Sequence, residues 1–245
     1  MNMSIITVVY NNIDFIESNL NSIHNQTYKD IQHIIIDGGS RDGTLEYLRS
    51  NHGYPLTLVS EQDDGIYDAM NKGINLAEGD VIGFLNSDDI YTDESILKKI
   101  TTVFRDIDTD SVYGDLHYVD PSLKKTIRSW ESGKYHTGIM EKGWMPPHPT
   151  FYVKRNIYEK YGKFDSDYKI SADYELMLRF LNKNNISTYY LPEVIVKMRT
   201  GGRSYKLRNY IKKYCEDLRA MRNNNIKNPY ICLIKKNLSK LHQFF

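Results

Sequence analysis

Four short apolar runs in the first ninety residues constrain this chain most, because none of them alternates. Residues 4–10 (SIITVVY), 31–36 (IQHIII), 56–60 (LTLVS) and 81–85 (VIGFL) read as strands. A strand with one wet face alternates polar and apolar side chains, so runs like these imply burial on both faces. Between them, apolar residues recur at helical spacing: Phe15, Ile16, Leu20 and Ile23, then the segment 44–49, then Ile66, Met70, Ile74 and Ala77, closed by Gly79. Strand and helix in alternation specify a parallel sheet covered by helices, and the expected class is α/β.

Ligands of such sheets bind beyond the carboxyl ends of the strands. Here each run ends in a polar cluster: Tyr10-Asn11-Asn12, Asp37-Gly38-Gly39, Glu61-Gln62-Asp63-Asp64 and Asn86-Ser87-Asp88-Asp89. Four loops at one rim make one site. Two adjacent carboxylates repel, and a hard divalent cation removes that cost. A nucleoside diphosphate needs such a cation, together with acceptors for its ribose and base. On this reading Asp89 holds Mn²⁺ or Mg²⁺ and Asp88 reaches the ribose. Local turn chemistry offers a plainer account of each cluster: Asp-Gly and Gly-Ser favour turns, and Asp42, Asp64 or Asp88 can cap or open the helix that follows.

Beyond residue 110 the pattern loosens. Residues 111–119 and 150–154 read as strands around an irregular stretch, 130–149, rich in Gly, His, Trp and Pro. Tyr174, Leu176, Met177, Phe180 and Leu181 mark a helix over 171–182 with Ser171 as its N-cap. From residue 205 the chain is basic, with Lys212, Lys213, Arg219, Arg222, Lys227, Lys235, Lys236 and Lys240 against only Glu216 and Asp217, and apolar residues interleave with them. Such a tail suits a helix on anionic lipid, a helix pair packed on the core, or a homodimer contact. The sequence leaves all three open.

Composition narrows the function classes. A formal charge of +1 over 245 residues argues against nucleic-acid binding. Two cysteines, Cys215 and Cys232, exclude a disulfide framework or a cysteine-built zinc site. MNMSIITVVYNN has no signal-peptide pattern, and no window has the apolar length to span a bilayer. The expected location is cytoplasmic, with peripheral contact at the inner face of the membrane through the tail. No G-x-G-x-x-G follows the first strand, which removes the dehydrogenase reading.

In order, SIITVVYNN, IIIDGGSRDGT, SEQDDGIYDAMNKGINLAEGD and VIGFLNSDD resemble glycosyltransferase family 2, the inverting family with the GT-A fold. PHPTFYVKR, SADYELMLR and MRTGGRS continue the resemblance more thinly, and it is nearest to bacterial members that build O-antigen, capsule and exopolysaccharide. It implies a GT-A domain over 1–204, nucleotide-binding over 1–110 and acceptor-binding over 111–204, with 205–245 as a helical appendage. It also implies that Thr7 and Tyr10 line the base pocket, Asp37 pairs with a pyrimidine, and Glu61 and Asp64 flank the nucleotide. Lys72 would meet ribose or phosphate, or solvent. Asp173 matches the family's general base, although Ala172 replaces the commoner Glu before it; the alternative is a helix cap beside a solvated Glu175. Trp144 would stack on the acceptor sugar, and His148 would bind diphosphate or a sugar hydroxyl, or stand as a structural histidine. Arg199 with Gly201-Gly202-Arg203-Ser204 would close on the donor, or form a plain glycine turn. Met70 stands where many members carry arginine and reads as core. The implied reaction moves a hexose or N-acetylhexosamine from a UDP-sugar to a saccharide on a lipid diphosphate. Alternatives are a non-catalytic sugar binder and a nucleotidyltransferase, though the latter would want a glycine-rich, basic first loop.

Overall fold

β1 (Met3–Val9), α1 (Ile13–His24), β2 (Ile31–Asp37), α2 (Thr44–Ser50), β3 (Leu56–Ser60), α3 (Ile66–Leu76) and β4 (Val81–Phe84) follow the expected order. This computed structural model describes residues 1–50, 55–201 and 208–239, with 208 and 209 by backbone alone. β1 runs parallel to β2 and β4, and β2 parallel to β3. Both faces are covered, which explains the missing alternation. Ile6, Val8, Ile34 and Ile36 share a core with Met70 and Ile74 of α3. Ile5 packs with Ile23, and Val9 and Ile35 with Ile16 and Leu20 of α1. Each such aliphatic contributes roughly 1.5–3 kcal/mol through burial.

The second half adds β5 (Ile90–Tyr91), α4 (Ile96–Asp106), β6 (Ser111–Val119), β7 (Thr126–Trp130), β8 (Tyr152–Lys154), α5 (Arg155–Tyr161), α6 (Ala172–Met177) and β9 (Thr188–Arg199). One mixed sheet results, ordered β3-β2-β1-β4-β8-β6-β9-β5, with β7 paired to β6. β8 lies antiparallel between β4 and β6, while β6 and β9 are parallel. The α/β class is as expected. Wider helical turns over Leu178–Lys183 extend α6, so the helix covers the expected span. Its N-cap differs: the Ser171 hydroxyl makes no capping bond, and the Ser171 amide donates instead to Glu216. Glu175 is buried, not solvated, and pairs with Arg179 at 2.9 Å.

α7 (Arg208–Asn223) and α8 (Pro229–Ser239) complete the described chain. Their inner faces bury Ala220, Met221 and Cys232 in the core shared with α6 and Met140. At Gly143 (φ +84) a Cβ would stand 2.3 Å from the backbone nitrogen of Lys236, so this approach of α8 requires glycine. The buried Lys236 ammonium pairs with Asp217 at 3.0 Å and lies 3.1 Å from the Tyr174 ring centroid. Of the three readings of the tail, packing on the core accounts for these inner faces. The outer faces leave Ile211, Tyr214, Ile231, Ile234 and Leu238 exposed. Among the described residues no helix is long and apolar enough to cross a membrane.

Candidate active site

The polar clusters converge by bonding to one another. Asn11 holds a left-handed conformation (φ +50) that asparagine tolerates. From it, the Asn11 amide donates to Ser40 Oγ at 2.8 Å, and Asn11 Oδ1 accepts from the Arg41 amide. The Asn12 amide donates to Thr44 Oγ1, and Asn12 Nδ2 donates to Ser87 Oγ at 2.7 Å. The loops after β1, β2 and β4 are thereby one surface. Ser60 at the end of β3 joins them by donating to Asp37 at 2.6 Å.

Within that surface Asp37 is an anchor. It is fully buried, and its carboxylate accepts from the Gly39 and Ser40 amides as well as Ser60. No atom of it is left exposed for a base. Thr7 is likewise fully buried, bonded to His33 and Asn19, so it does not line the rim. Tyr10 does, being 48% exposed. Beside it is a residue that the sequence reading passed over: Asp63 Oδ2 and Tyr10 Cδ2 would stand 3.0 and 3.4 Å from a Cβ built on Gly38. Both the ring and the carboxylate thus close on the bare glycine, and a side chain there would crowd them. The signal lies in SEQDDGIYDAMNKG, where Glu61 and Asp64 are exposed and Asp63 between them is partly buried. Burial raises the Asp63 carboxyl against the pull of Lys72. Lys72 is only partly exposed, and its ammonium pairs with Asp63, Glu61 and Asp68 at 2.6, 2.8 and 3.3 Å.

Asp88 and Asp89 differ in burial. Asp89 is fully buried, with one oxygen accepting from Asn86 and the other without a partner. Asp88 is only partly buried. Burial pushes both carboxyls above the usual range, and for Asp89 the neighbouring Asp88 charge pushes further. An orphaned carboxylate oxygen on Asp89 beside the Asp88 carboxylate fits a hard cation held by this pair. No group of three His, Cys, Asp or Glu side chains gathers for a metal among the described residues, so phosphate and water would complete the coordination. Arg199 is a structural latch and not an open phosphate ligand. It is buried, donates to the Asp88 carbonyl (2.5 Å), the Pro121 carbonyl and Ser18 Oγ, and lies over the Phe15 ring. Gly202, Arg203 and Ser204 of the expected closing loop lie outside the described residues.

A ring cluster brings Asp173 to this rim. Phe84 ends β4, and its ring lies 5.5 Å from both His148 and Phe164. Phe164 also packs on Tyr67, whose hydroxyl donates to the Ile170 carbonyl (2.7 Å) and Asp173 Oδ1 (3.2 Å). Asn71 fixes Phe164 by bonding both its amide and its carbonyl. His148 leaves its Nε2 buried without a partner, and burial lowers its pKa against the attraction of Asp173. Trp144, partly exposed, is packed edge-on against Tyr113 and donates to the Ser132 carbonyl, so it forms a wall of an aromatic cluster.

The family model "Glycosyl transferase family 2" matches residues 4–172. An uncharacterized glycosyltransferase of Mycobacterium tuberculosis is 30% identical over 187 residues, covering 72% of this chain and 68% of its own. A PGL/p-HBAD biosynthesis glycosyltransferase of Mycobacterium bovis is 28% identical over 180 residues, with the same coverage of each chain. Among solved structures, S. aureus TarS 1-349 in complex with UDP-GlcNAc superposes with a TM-score of 0.75 at 17% identity, covering 98% of this chain and 73% of that one. The mannosyltransferase PcManGT from Pyrobaculum calidifontis, in complex with GDP-Man and Mn²⁺, gives 0.68 at 20% identity, covering 96% and 68%. The fold is GT-A, and the chain is a glycosyltransferase belonging to family 2.

Proposed function

We propose that the chain transfers a sugar, with inversion, from a pyrimidine nucleotide-sugar to an acceptor hydroxyl. What supports this reading is the set of strand-end loops carrying Tyr10, Asp63 and Asp88, tied together by Asn11, Asn12 and Ser60, with Asp173 joined to the end of β4 through Tyr67 and Phe164. Tyr10 and Asp63 take the base across Gly38, Asp63 accepting from the ring N3–H. Asp88 would hold Mn²⁺ or Mg²⁺ with Asp89 behind it, and that cation would supply positive charge to the departing diphosphate. Asp173 removes the acceptor proton while the new C1–O bond forms and the bond from C1 to the diphosphate oxygen breaks. Tyr67 orients the carboxylate for this. His148, with its inward Nε2, receives a sugar hydroxyl or phosphate oxygen.

Residues 1–204 form the catalytic unit and 205–245 its appendage. UDP is the preferred nucleotide, and TarS, solved with UDP-GlcNAc, supports that choice. For the acceptor we propose a saccharide on a lipid diphosphate. Exposed Ile211, Ile231, Ile234 and Leu238, with Lys212, Lys227 and Lys235 also at the surface, favour peripheral contact with an anionic membrane. Cosedimentation with phosphatidylglycerol vesicles tests this; binding equal to that on neutral vesicles counts against it.

The decisive experiment screens UDP-glucose, UDP-galactose and their N-acetyl forms, with and without Mn²⁺, on a synthetic lipid-diphosphate N-acetylglucosamine. Asp88→Ala should abolish both turnover and cation dependence. Asp173→Asn should stop transfer while the donor still binds. Calorimetry finding no uptake of any of these donors with Mn²⁺ present would overturn the reading.

A further inference from the structure

The appendage reaches Asp173 from outside the family match. Its sequence from 205 onward holds only two acidic residues, Glu216 and Asp217, and both are buried. Asp217 is neutralised by Lys213 and Lys236. Glu216 faces another way. Its carboxylate accepts from three successive backbone amides, those of Lys169 (3.1 Å), Ile170 (2.8 Å) and Ser171 (3.0 Å). Three consecutive amides aimed at one point make a concave anion seat, and the backbone keeps that curvature only while an acceptor fills it.

Asp173 follows two residues later. On its other side, Tyr67 bonds both the Ile170 carbonyl and Asp173 Oδ1, so segment and carboxylate move together. Resting on the reading of Asp173 as base, we propose that Glu216 is a positioning residue for glycosyl transfer. From α7 it sets the backbone curvature that aims the Asp173 carboxylate at the acceptor. The appendage is then part of the catalytic apparatus, although the family-model match ends at residue 172.

The test compares Glu216→Gln, which keeps shape and loses charge, with Glu216→Ala in the full chain. The probes are the four UDP-sugars with Mn²⁺ and the lipid-diphosphate N-acetylglucosamine acceptor, and transfer to water is counted as turnover. Expected is a donor Kd within about twofold of the unaltered chain, with kcat lowered ~10- to 100-fold, as misplacement on the scale of an ångström does. Wild-type kcat in Glu216→Gln beside an inactive Asp173→Asn overturns the positioning role alone. Full activity in Asp173→Asn overturns the base assignment on which it rests. Parallel loss of donor affinity, kcat and melting temperature in both Glu216 variants marks a purely structural residue and also overturns the proposal.

Discussion

His33 makes β2 sensitive to acid. Burial lowers its pKa to about 3, with the neighbouring His24 ring adding to the effect, while the unfolded chain titrates near 6.5. Below the unfolded value the denatured state binds a proton that the folded state refuses, so stability is complete above about pH 6.5 and falls as pH drops toward 3. At pH 5 the loss amounts to about 2 kcal/mol. His33→Gln should flatten the difference in urea midpoints between pH 7 and pH 5, since glutamine keeps a partner for Thr7 and carries no charge. The Asp pair provides a second contrast at this scale. Asp88→Asn should raise the Mn²⁺ requirement by tenfold or more on the order of one lost ligand charge. Asp89→Asn should act chiefly on folding, because its side chain is sealed behind the loop. Reversed outcomes in a metal titration would return the cation to Asp89. Sequence could place both acids at the strand mouth, yet which one turns outward is decided by Asn86 and Arg199, the second of which arrives from more than a hundred residues away.

Among elements, β9 does most of its positioning through its last residue. Arg199→Met would leave the Asp88 and Pro121 carbonyls and Ser18 without their donor, at a cost of about 1–3 kcal/mol for the unsatisfied acceptors. A guanidinium chloride titration would register this as a lowered midpoint, and lysine should rescue it poorly because it lacks the planar fork. Gly143→Ala tests the seating of α8. The added methyl meets backbone and not a movable side chain, so about 1–3 kcal/mol or more of overpacking is expected. Limited proteolysis should then cut within 208–239 first. The elements of the first half were legible because each βα unit buries its own run against its own neighbours. β9 was not, for a local reason: Pro192 interrupts its pattern, and the pairing with β6 shifts register across that region. α4 was missed as well, although Ile96, Leu97, Ile100 and Phe104 mark its buried face. In the site, loop convergence was readable from strand order. The sealing of Thr7, Asp37 and Arg199 was not, because it depends on side-chain partners far apart in the chain.

At the scale of the whole molecule, donor binding should tighten the fold. A UDP-sugar with Mn²⁺ at a hundred times its Kd adds about 2.7 kcal/mol, or roughly 5–10 °C in Tm for a chain of this size. Differential scanning fluorimetry checks this directly, and UDP-sugar with chelator should give much less. The latch between Arg199 and the Asp88 loop also carries a consequence for biogenesis. Its partners are 111 positions apart, and the strand that delivers the guanidinium slots between β6 and β5. On the ribosome, the N-terminal βα units emerge and pair early, but the acidic turn must wait for another hundred-odd codons, about 5–20 s of synthesis, before its cationic bolt arrives. A nascent chain stalled near residue 150 should therefore display a well-formed sheet whose acidic mouth is still unset, a state in which chaperone capture or premature proteolysis would find its opening.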